Sequence, residues 1–485
     1  MIRLRWRIIG LCFLVLVSLL VSGCFGLWSG GLNNGGTSNV KIRGPSPTGR
    51  YIVVFKDKAI PAGAEADIEA LGARIVAKFP PIGVLVAASA DPAFPNQVAA
   101  LPGVLDVGSD PFIPLPGDPD DRYVVLDPPV DPIPVSSALA PLGLEDDINR
   151  NDLYVLYQWD IKRVGGHKDT WAINQGAGVT VAVLDTGVYA AHPDIALNYA
   201  YGKSFVDITV QLPPGWILWD QGGTQDYEGH GTHVAGSIAA TMLDGRIIGV
   251  APQAKIANYK VMIAVLIPIE GMPGYYQATG VGLSSWIIAG LMQAADDGVQ
   301  VANLSLGGSG LLTDPEDLAW FIAYARATQY AWEKGVLVVS AAGNDEADFS
   351  RGPWRNAPSM TPASLAVTAT GPGDSLAFYS NWGAFNADFA GPGGDISNRP
   401  YSLCLSSYSP LNAWAPGAGW VWMAGTSMAA PKVSGVAALV FSVNPGITPT
   451  EVVRILERTA EDLGEPGFDF KYGWGLAHAY RALTQ

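Results

Sequence analysis

Three residue types that together can carry out acyl transfer occur in glycine-rich segments far apart along the 485-residue chain. Asp185 lies in VAVLDTG, His230 lies in EGHGTHVAG, and Ser427 lies in GTSMAAPKVSG. A carboxylate can fix the tautomer of an imidazole, which titrates near neutral pH and can take the proton of a hydroxyl nucleophile. The three segments therefore predict a serine nucleophile with its base and an orienting acid.

The neighbouring residues indicate how each side chain is presented. Asp185 stands where an apolar strand stops, and Gly229 and Gly231 leave room around His230 just before a small-residue helix. Ser427 opens an apolar helix, so its hydroxyl is expected beside unpaired backbone N–H groups that can hold a developing oxyanion. All three side chains are thus predicted at the ends of regular elements.

Each residue alone also has other interpretations. Asp185 could be a turn residue and Ser427 a helix cap. His230 and His233 could form a metal pair, but a third ligand is not evident, and His233 is predicted to be a packed core histidine. Ser427 with His478 could serve an α/β-hydrolase esterase, although GTSMA lacks the Gly-x-Ser-x-Gly pattern. A non-catalytic binding protein is a further alternative.

The order Asp, His, Ser, with gaps of 45 and 197 residues, and the three motifs together resemble the subtilase family of serine peptidases. The resemblance covers roughly residues 155–485, starting from YQWDIKRV at 157–164. It implies an endopeptidase that hydrolyses extended polypeptides through an acyl-enzyme. It implies no cofactor for the chemistry.

The resemblance also assigns supporting residues. Asn344 in SAAGND is expected to donate its side-chain amide to the oxyanion, together with the backbone N–H of the nucleophile. The segment NLSLGG resembles the lining of a primary specificity pocket, and its extended backbone is expected to pair with a substrate strand. The substrate-binding residues predicted there are Ser305, Leu306 and Gly307.

Calcium is left open. Asp194, in the segment HPD, matches a position that is a calcium ligand in some relatives. The loop at 241–245 reads TMLDG, and its Met and Leu are not oxygen ligands of the kind that calcium prefers.

Apolar strand-like runs that alternate with helical patterns predict the sheet that positions the candidate catalytic residues. Near-continuous apolar runs at 179–184, 255–261, 299–304 and 336–340 are typical of buried parallel strands, and helical patterns lie between them. An open, doubly wound, mostly parallel α/β sheet follows over residues 151–485, with ligands at the carboxyl ends of its strands.

A smaller α+β domain is predicted ahead of it, at residues 49–116. Its β-α-β-β-α-β order is that of a ferredoxin-like unit. YIVVFK at 51–56 and the segment at 102–115 resemble the inhibitor propeptide of subtilases, which implies a folding template whose tail lies in the substrate cleft. An independent accessory domain is the alternative. The Pro- and Asp-rich residues 117–150 are predicted to be an exposed linker, and a maturation cut is expected there or at the edge of the domain.

The first 24 residues resemble a bacterial lipoprotein signal. Three arginines precede an apolar run from Ile8 to Val21, and Val-Ser-Gly-Cys ends it. Residues 1–23 are expected to be removed, Cys24 to be acylated, and residues 24–48 to form a flexible tether. An ordinary cleaved signal or an uncleaved anchor are the alternatives, and all three place the rest of the chain outside the cytoplasm.

The composition sets further bounds. The formal net charge is −15, which argues against nucleic acid as a partner, and 49% apolar against 15% charged residues indicates a large core. Three cysteines give no disulfide framework, and Cys404 is predicted to be a buried or idle thiol. The partners expected are polypeptide substrates, the chain's own propeptide and, through the lipid, a membrane.

Overall fold

The computed structural model describes the chain from residue 46 onward, except for a few segments. All of these residues belong to one compact unit that runs from Arg43 to Gln485. The described ranges are 46–115, 123–125 (backbone only), 153–242, 246–269, 274–413 and 415–485. The predicted signal segment, Cys24 and the tether up to residue 45 therefore lie outside them.

The N-terminal part of the described chain is a four-stranded antiparallel sheet with two helices. The strand order β2-β3-β1-β4 and the β-α-β-β-α-β succession are those of a ferredoxin-like unit, as predicted. Its elements are β1 (Arg50–Phe55), α1 (Ala64–Ala70), β2 (Arg74–Phe79), β3 (Val84–Ala88), α2 (Phe94–Ala99) and β4 (Val104–Ser109).

A seven-stranded sheet of parallel strands forms the centre of the molecule, which confirms the predicted fold class. Its order is β18-β17-β15-β13-β7-β10-β8. The strands are β7 (Thr180–Asp185), β8 (Tyr199–Ser204), β10 (Lys255–Lys260), β13 (Val301–Leu304), β15 (Leu337–Ala341), β17 (Ser364–Thr370) and β18 (Phe389–Pro392). The chain turns from one side of β7 to the other, between β10 and β13, so β7 is the topological switch point.

Helices cover both faces of this sheet. They are α3 (Leu153–Tyr157), α4 (Trp159–Arg163), α5 (Lys168–Ile173), α6 (His230–Ala239), α7 (Ser284–Asp296), α8 (Pro315–Glu333), α9 (Thr426–Val443), α10 (Pro449–Thr459) and α11 (Ala479–Leu483). Val181 and Val183 of β7 pack with α6 and α9, whereas Ala182 and Leu184 pack with α7 and α8. Because successive strand residues point to opposite faces, a run buried on both sides is apolar throughout.

The N-terminal sheet is also buried on both faces. Tyr51 and Val53 pack against its own helices, and Ile52 and Val54 join the core that contains α7 and α8. The period-2 alternation of β1 therefore joins the small sheet to the two helices of the large domain.

Three smaller sheets border the large one. The first, in the order β5-β12-β11-β9, contains β5 (Phe112–Pro114), β9 (Ile217–Leu218), β11 (Ile263–Pro268) and β12 (Tyr276–Leu283). The second pairs β14 (Gly308–Leu311) with β16 (Trp354–Ala357). The third, in the order β19-β20-β6, contains β6 (Tyr123–Val125), β19 (Cys404–Ser407) and β20 (Trp420–Met423).

The third sheet differs from the predicted linker. Strand β6 lies inside the segment 117–150, which we expected to be entirely exposed, and it pairs antiparallel with β20. An edge strand has a row of unpaired backbone N–H and C=O groups. Here the three residues of β6 pair with those groups along β20. The other residues of that segment lie outside the described ranges.

Candidate active site

Asp185 and His230 meet at the carboxyl end of the switch-point strand. Asp185 is the last residue of β7 and His230 the first of α6, and both side chains are buried. The Nδ1 atom of His230 lies 2.8 Å from Oδ1 of Asp185. Because a carboxylate only accepts, Nδ1 carries the proton and Nε2 is the basic nitrogen, as a general base requires.

A second buried carboxylate, which the sequence interpretation missed, anchors this pair. Asp226 accepts hydrogen bonds from the backbone N–H and the hydroxyl of Thr232, at 2.9 and 2.6 Å, and from the hydroxyl of Thr186 at 2.9 Å. The Thr186 hydroxyl in turn accepts from the N–H of Gly231 at 3.0 Å. A carboxylate is favourable at a helix N-terminus. The position of Asp226, four residues before His230, could therefore have indicated this role from the sequence.

The glycines on either side of His230 allow neighbouring groups to approach the backbone closely. A Cβ at Gly231 would lie 2.0 Å from the carbonyl oxygen of Gly187, and a Cβ at Gly229, where φ is 108°, would overlap the ring of Tyr408. The N–H of His230 donates to Oε2 of Glu228 at 2.7 Å. The entry to α6 is therefore fixed from several directions.

Ser427 is the second residue of α9 and is 3% exposed. Its Oγ donates to the carbonyl of Ser305 at 3.0 Å, and the hydroxyl of Ser305 donates to the carbonyl of Ser427 at 2.8 Å. That carbonyl has no helical N–H to accept from, because residue 431, four positions later, is proline. Two reciprocal hydrogen bonds thus hold Ser305 and Ser427 against each other.

Asn344 lies next to the N-terminus of α9. Its Oδ1 accepts from the N–H and the hydroxyl of Thr426, at 2.9 and 2.7 Å, so its amide nitrogen must face the other way. A Cβ at Gly425 would lie 3.2 Å from Nδ2 of Asn344 and 3.6 Å from the backbone nitrogen of Ser427. Two N–H donors therefore border one small space, which is the arrangement that stabilises an oxyanion.

A strand of the chain itself lies in the groove beside these residues. Pro114, Ile113 and Phe112 of β5 pair antiparallel with β12, and the N–H of Leu115 donates to the carbonyl of Gly280 at 2.9 Å. The same segment lines a cavity of about 610 Å³ whose other walls include Gly307, Gly308 and Gly343. The groove thus accepts an extended peptide by strand addition.

The predicted substrate-binding segment stays a prediction. We expected a substrate strand to pair with residues 305–307, and the pairing of the chain's own β5 with β12 does not test that expectation. Ser305 and Leu306 are fully buried, and Leu306 belongs to the core, so of the three residues only Gly307 lines the cavity. The sequence of β12 contains Ala, Thr and Gly instead of a buried apolar run, so neither this strand nor its pairing with β5 was predicted.

Calcium at Asp194 stays a prediction, because Oδ1 is buried without a hydrogen-bond partner among the described residues, whereas the other contacts of Asp194 disfavour a cation. Its Oδ2 accepts from Trp420 Nε1 at 2.7 Å and from Ser407 Oγ at 3.2 Å, and Arg246 Nε lies 3.9 Å from Oδ1. Burial raises the pKa of this carboxyl group. A divalent cation beside a guanidinium group would meet charge repulsion.

Clusters of the usual side-chain metal ligands are absent from the described residues. Within the described ranges, no three His, Cys, Asp or Glu residues are grouped so that they could hold a metal ion. Of the predicted calcium loop at 241–245, residues 243–245 lie outside those ranges.

His233 is a core residue, as predicted. It is fully buried, its Nε2 lies 3.2 Å from the carbonyl of Cys404, and burial lowers its pKa well below the usual value. Cys404 is also buried, and burial raises the pKa of its thiol. Beside them lies an ion pair that we did not predict, with Lys432 Nζ 2.6 Å from Oδ2 of Asp160.

His478 belongs to a different part of the molecule. It caps α11 by accepting from the N–H of Arg481 at 3.5 Å, and it packs against Gly165. Burial lowers its pKa to about 4. Nothing in these contacts supports the esterase alternative.

Comparison with known proteins gives concordant matches. The sequence profile of the subtilase family matches residues 176–475. The M-protease of Shouchella clausii (strain KSM-K16) is 36% identical over 339 residues, which are 70% of this chain and 73% of that protein. Subtilisin Savinase of Lederbergia lenta is 36% identical over 324 residues, which are 67% of this chain and 97% of that protein.

Among solved structures, the epidermin leader peptide processing serine protease from Staphylococcus aureus superposes with a TM-score of 0.67. The superposition covers 90% of this chain and 97% of that one. The sequences are 22% identical, so this likeness concerns the fold alone.

Proposed function

This chain belongs to the subtilase family and is a serine-type endopeptidase, and from that premise we propose that Asp185, His230 and Ser427 form its catalytic triad. The hydrogen bond of 2.8 Å between Asp185 and His230 carries the proposal. The polypeptide substrate binds in extended form along β12.

In the proposed mechanism, Nε2 of His230 takes the proton of Ser427 as the hydroxyl attacks the scissile carbonyl. The amide of Asn344 and the N–H of Ser427 hold the oxyanion. His230 then protonates the leaving amine, and water, activated by the same imidazole, hydrolyses the acyl-enzyme. Asp185 stabilises the imidazolium in both steps.

The test compares the purified wild type with Ser427→Ala. Both are incubated with a peptide library read by mass spectrometry and with a fluorophosphonate probe. Cleavage and labelling are expected in the wild type alone, and His478→Ala should behave like the wild type. Undiminished cleavage by Ser427→Ala would refute the proposal.

We further propose that residues 49–116 inhibit the precursor. Asp110 accepts from the N–H and hydroxyl of Ser285, at 2.9 and 2.7 Å, and thereby caps α7 while it pairs with Arg50 at 3.1 Å. Arg326 of α8 donates to the carbonyl of Ile82 at 2.9 Å. Since β5 continues from this docked sheet into the substrate groove, it excludes other peptides.

Intact mass and activity over time test this part. The wild type should lose an N-terminal fragment that contains the 49–116 domain, and activity per labelled serine should rise as it does so. Ser427→Ala should keep its full mass. Full activity in a chain of unchanged mass would contradict self-inhibition.

The export of the chain and its lipid anchor are proposed from residues 1–24. Wild type and Cys24→Ala are expressed in a bacterium that is fed a labelled fatty acid and are then partitioned in Triton X-114. The wild type should carry the label and enter the detergent phase, and Cys24→Ala should do neither. Equal partitioning would speak for an ordinary signal or an uncleaved anchor.

A further inference from the structure

A fully buried cation lies next to the proposed catalytic pair and has no part in the mechanism given above. Lys260 is the last residue of β10, and its Cα is the register partner of Asp185 in the neighbouring strand β7. Its side chain is 0% exposed. Because a lysine is almost never buried completely unless its charge is paired, the groups that surround it indicate what it does.

The ammonium group of Lys260 donates to three acceptors from three different segments. Its Nζ lies 2.6 Å from the carbonyl oxygen of Thr186, 2.7 Å from the carbonyl oxygen of Gln225 and 2.7 Å from Oδ2 of Asp220. An ammonium group has three N–H donors, so each of them is used once. The side chain therefore has one orientation, fixed from three directions.

Two of these acceptors belong to the loops that carry the catalytic pair. Thr186 directly follows Asp185, and Gln225 directly precedes Asp226, the carboxylate that anchors the first turn of α6 at His230. The 2.8 Å hydrogen bond of the pair spans the same two loops. A single nitrogen atom thus joins both loops close to the bond on which the proposed triad depends.

The third acceptor supplies the compensating charge. The side chain of Asp220 is also 0% exposed, so the two residues form a fully buried ion pair. Its Oδ2 accepts from the N–H of Ala264 in β11 at 3.1 Å, and its own N–H donates to the carbonyl of Ala264 at 3.1 Å. Asp220 is therefore held in place by β11 and does not move with the two loops.

A buried ion pair can also serve the stability of the fold alone, and the two roles respond differently to substitution. Replacing both charges by apolar side chains of similar volume often leaves stability unchanged, because the cost of burying charge disappears with the charges. Such a replacement cannot supply N–H donors to the carbonyls of Thr186 and Gln225. Stability can therefore recover in a double variant in which the two loops remain unlinked.

We propose that Lys260 is a positioning residue for the triad, and that its ammonium group holds the loops of Asp185 and His230 at the separation that their hydrogen bond requires. The inference rests on the proposed function. The hydroxyl of Thr186 also donates to Asp226 at 2.9 Å and links the same loops. Loss of Lys260 should for that reason weaken turnover without abolishing it.

The test compares Lys260→Met and Lys260→Met/Asp220→Leu with the wild type. In each chain, kcat and KM for an extended peptide are measured per serine labelled by the fluorophosphonate at completion. Denaturant unfolding is measured in the Ser427→Ala background. Lys260→Met should lower both kcat, by about 10- to 100-fold, and the unfolding midpoint, with a smaller change in KM. The double variant should regain most of the midpoint and keep the low kcat.

Lys203→Met is the control for the loss of an ammonium group. Lys203 lies on β8, the other neighbour of β10, and its Nζ bonds to Asp297 at 2.6 Å and to neither catalytic loop. Its removal should leave kcat unchanged.

The outcomes separate the two proposals. A kcat within about twofold of the wild type in Lys260→Met, or a kcat that recovers together with stability in the double variant, overturns the positioning role alone. A double variant that regains neither also overturns it, because the loss is then one of packing. A wild type that neither cleaves any peptide nor reacts with the fluorophosphonate overturns the proposed function. If Lys260→Met does not fold, the double variant still decides.

Discussion

In the proposed mechanism, the carboxylate of Asp185 acts on the reaction through the imidazole. It is fully buried and bonded through Oδ1 to both His230 and the N–H of Thr186. An amide in its place could present its NH₂ group to Nδ1 and so favour the wrong tautomer. Replacing the carboxylate of Asp185 by an amide of the same shape therefore separates the effect of its charge from the effect of its shape.

Asp185→Asn should therefore lower kcat by about 10⁴-fold with little change in the unfolding midpoint. The measurement is steady-state hydrolysis of a peptide substrate together with thermal unfolding. Asp194→Asn is the matched control, since that carboxylate is equally buried but bonds to Trp420, and it should keep kcat. A loss below tenfold in Asp185→Asn would contradict the orienting role.

The orientation of Asn344 depends on Thr426, which donates to its Oδ1 through two groups. Loss of the corresponding amide donor in a subtilisin costs about 10²–10³ in kcat, and Asn344→Ala should match that known magnitude. Thr426→Val keeps the backbone donor and removes the hydroxyl, so kcat should fall by a smaller factor with KM unchanged.

The double variant Asn344→Ala/Thr426→Val distinguishes positioning from a general structural effect. If Thr426 acts only through Asn344, the double variant should be no slower than Asn344→Ala. Additive losses in kcat would show that Thr426 acts by another route.

Between elements, the buried ion pair of Lys432 and Asp160 joins α9, the helix that contains Ser427, to α4. Burial works against the charge of Lys432, but the carboxylate of Asp160 2.6 Å away raises the pKa of the amine, which therefore stays charged. Removing one partner leaves the other charge buried and uncompensated.

Lys432→Met should lower the free energy of unfolding by about 3–5 kcal/mol, and Asp160→Asn/Lys432→Met should recover most of that loss. Denaturant unfolding in the Ser427→Ala background measures both without self-digestion. The exposed pair of Lys78 and Glu65, 3.1 Å apart, is the control, and Lys78→Met should cost under about 1 kcal/mol. Equal effects at both sites would contradict the argument from burial.

The cap of α11 should make the stability of the fold depend on pH. Burial lowers the pKa of His478 to about 4 from 6.5, so as the pH falls the unfolded chain binds this proton first. The stability that neutral His478 provides is therefore complete above pH 6.5 and is lost progressively towards pH 4.

His478→Gln should consequently lose less stability than the parent between pH 7 and pH 4, by roughly 1 kcal/mol after allowance for solvent screening. The unfolding midpoint in denaturant at a series of pH values, again with Ser427→Ala, measures this. Parallel pH profiles of the two chains would show that His478 keeps an ordinary pKa.

At the scale of the whole molecule, the described residues bring together hydrophobic layers and ion pairs, and no three His, Cys, Asp or Glu residues among them are grouped to hold a metal ion. Asp194 already bonds to Trp420 and Ser407 and faces Arg246.

Thermal unfolding of Ser427→Ala in excess EDTA and in excess calcium should therefore give the same midpoint within about 2 °C, since a ligand that binds the folded state tightly would raise it. Magnesium chloride at the same ionic strength is the control for screening. A midpoint raised by calcium alone would place a cation site elsewhere in the chain.

The sequence by itself determined the parts that depend on local pattern. Strand β7 with Asp185 at its end and the helix that starts beside Ser427 were predicted from neighbouring residues, as was a helix just after His230, which in the structure begins at His230 itself. Period-2 and helical patterns specify such elements because successive residues along the chain occupy fixed directions.

Only the tertiary structure decided which distant groups meet. The β5–β12 pairing in the groove, the ion pair of Lys432 with Asp160 and the bonds of Lys260 to Thr186 and Gln225 join residues that are remote along the chain. Each depends on strand register, on burial and on hydrogen-bond partners, which are properties of the packed chain and leave no local periodicity. For that reason the sequence predicted the catalytic groups, while the fold decided what surrounds the substrate.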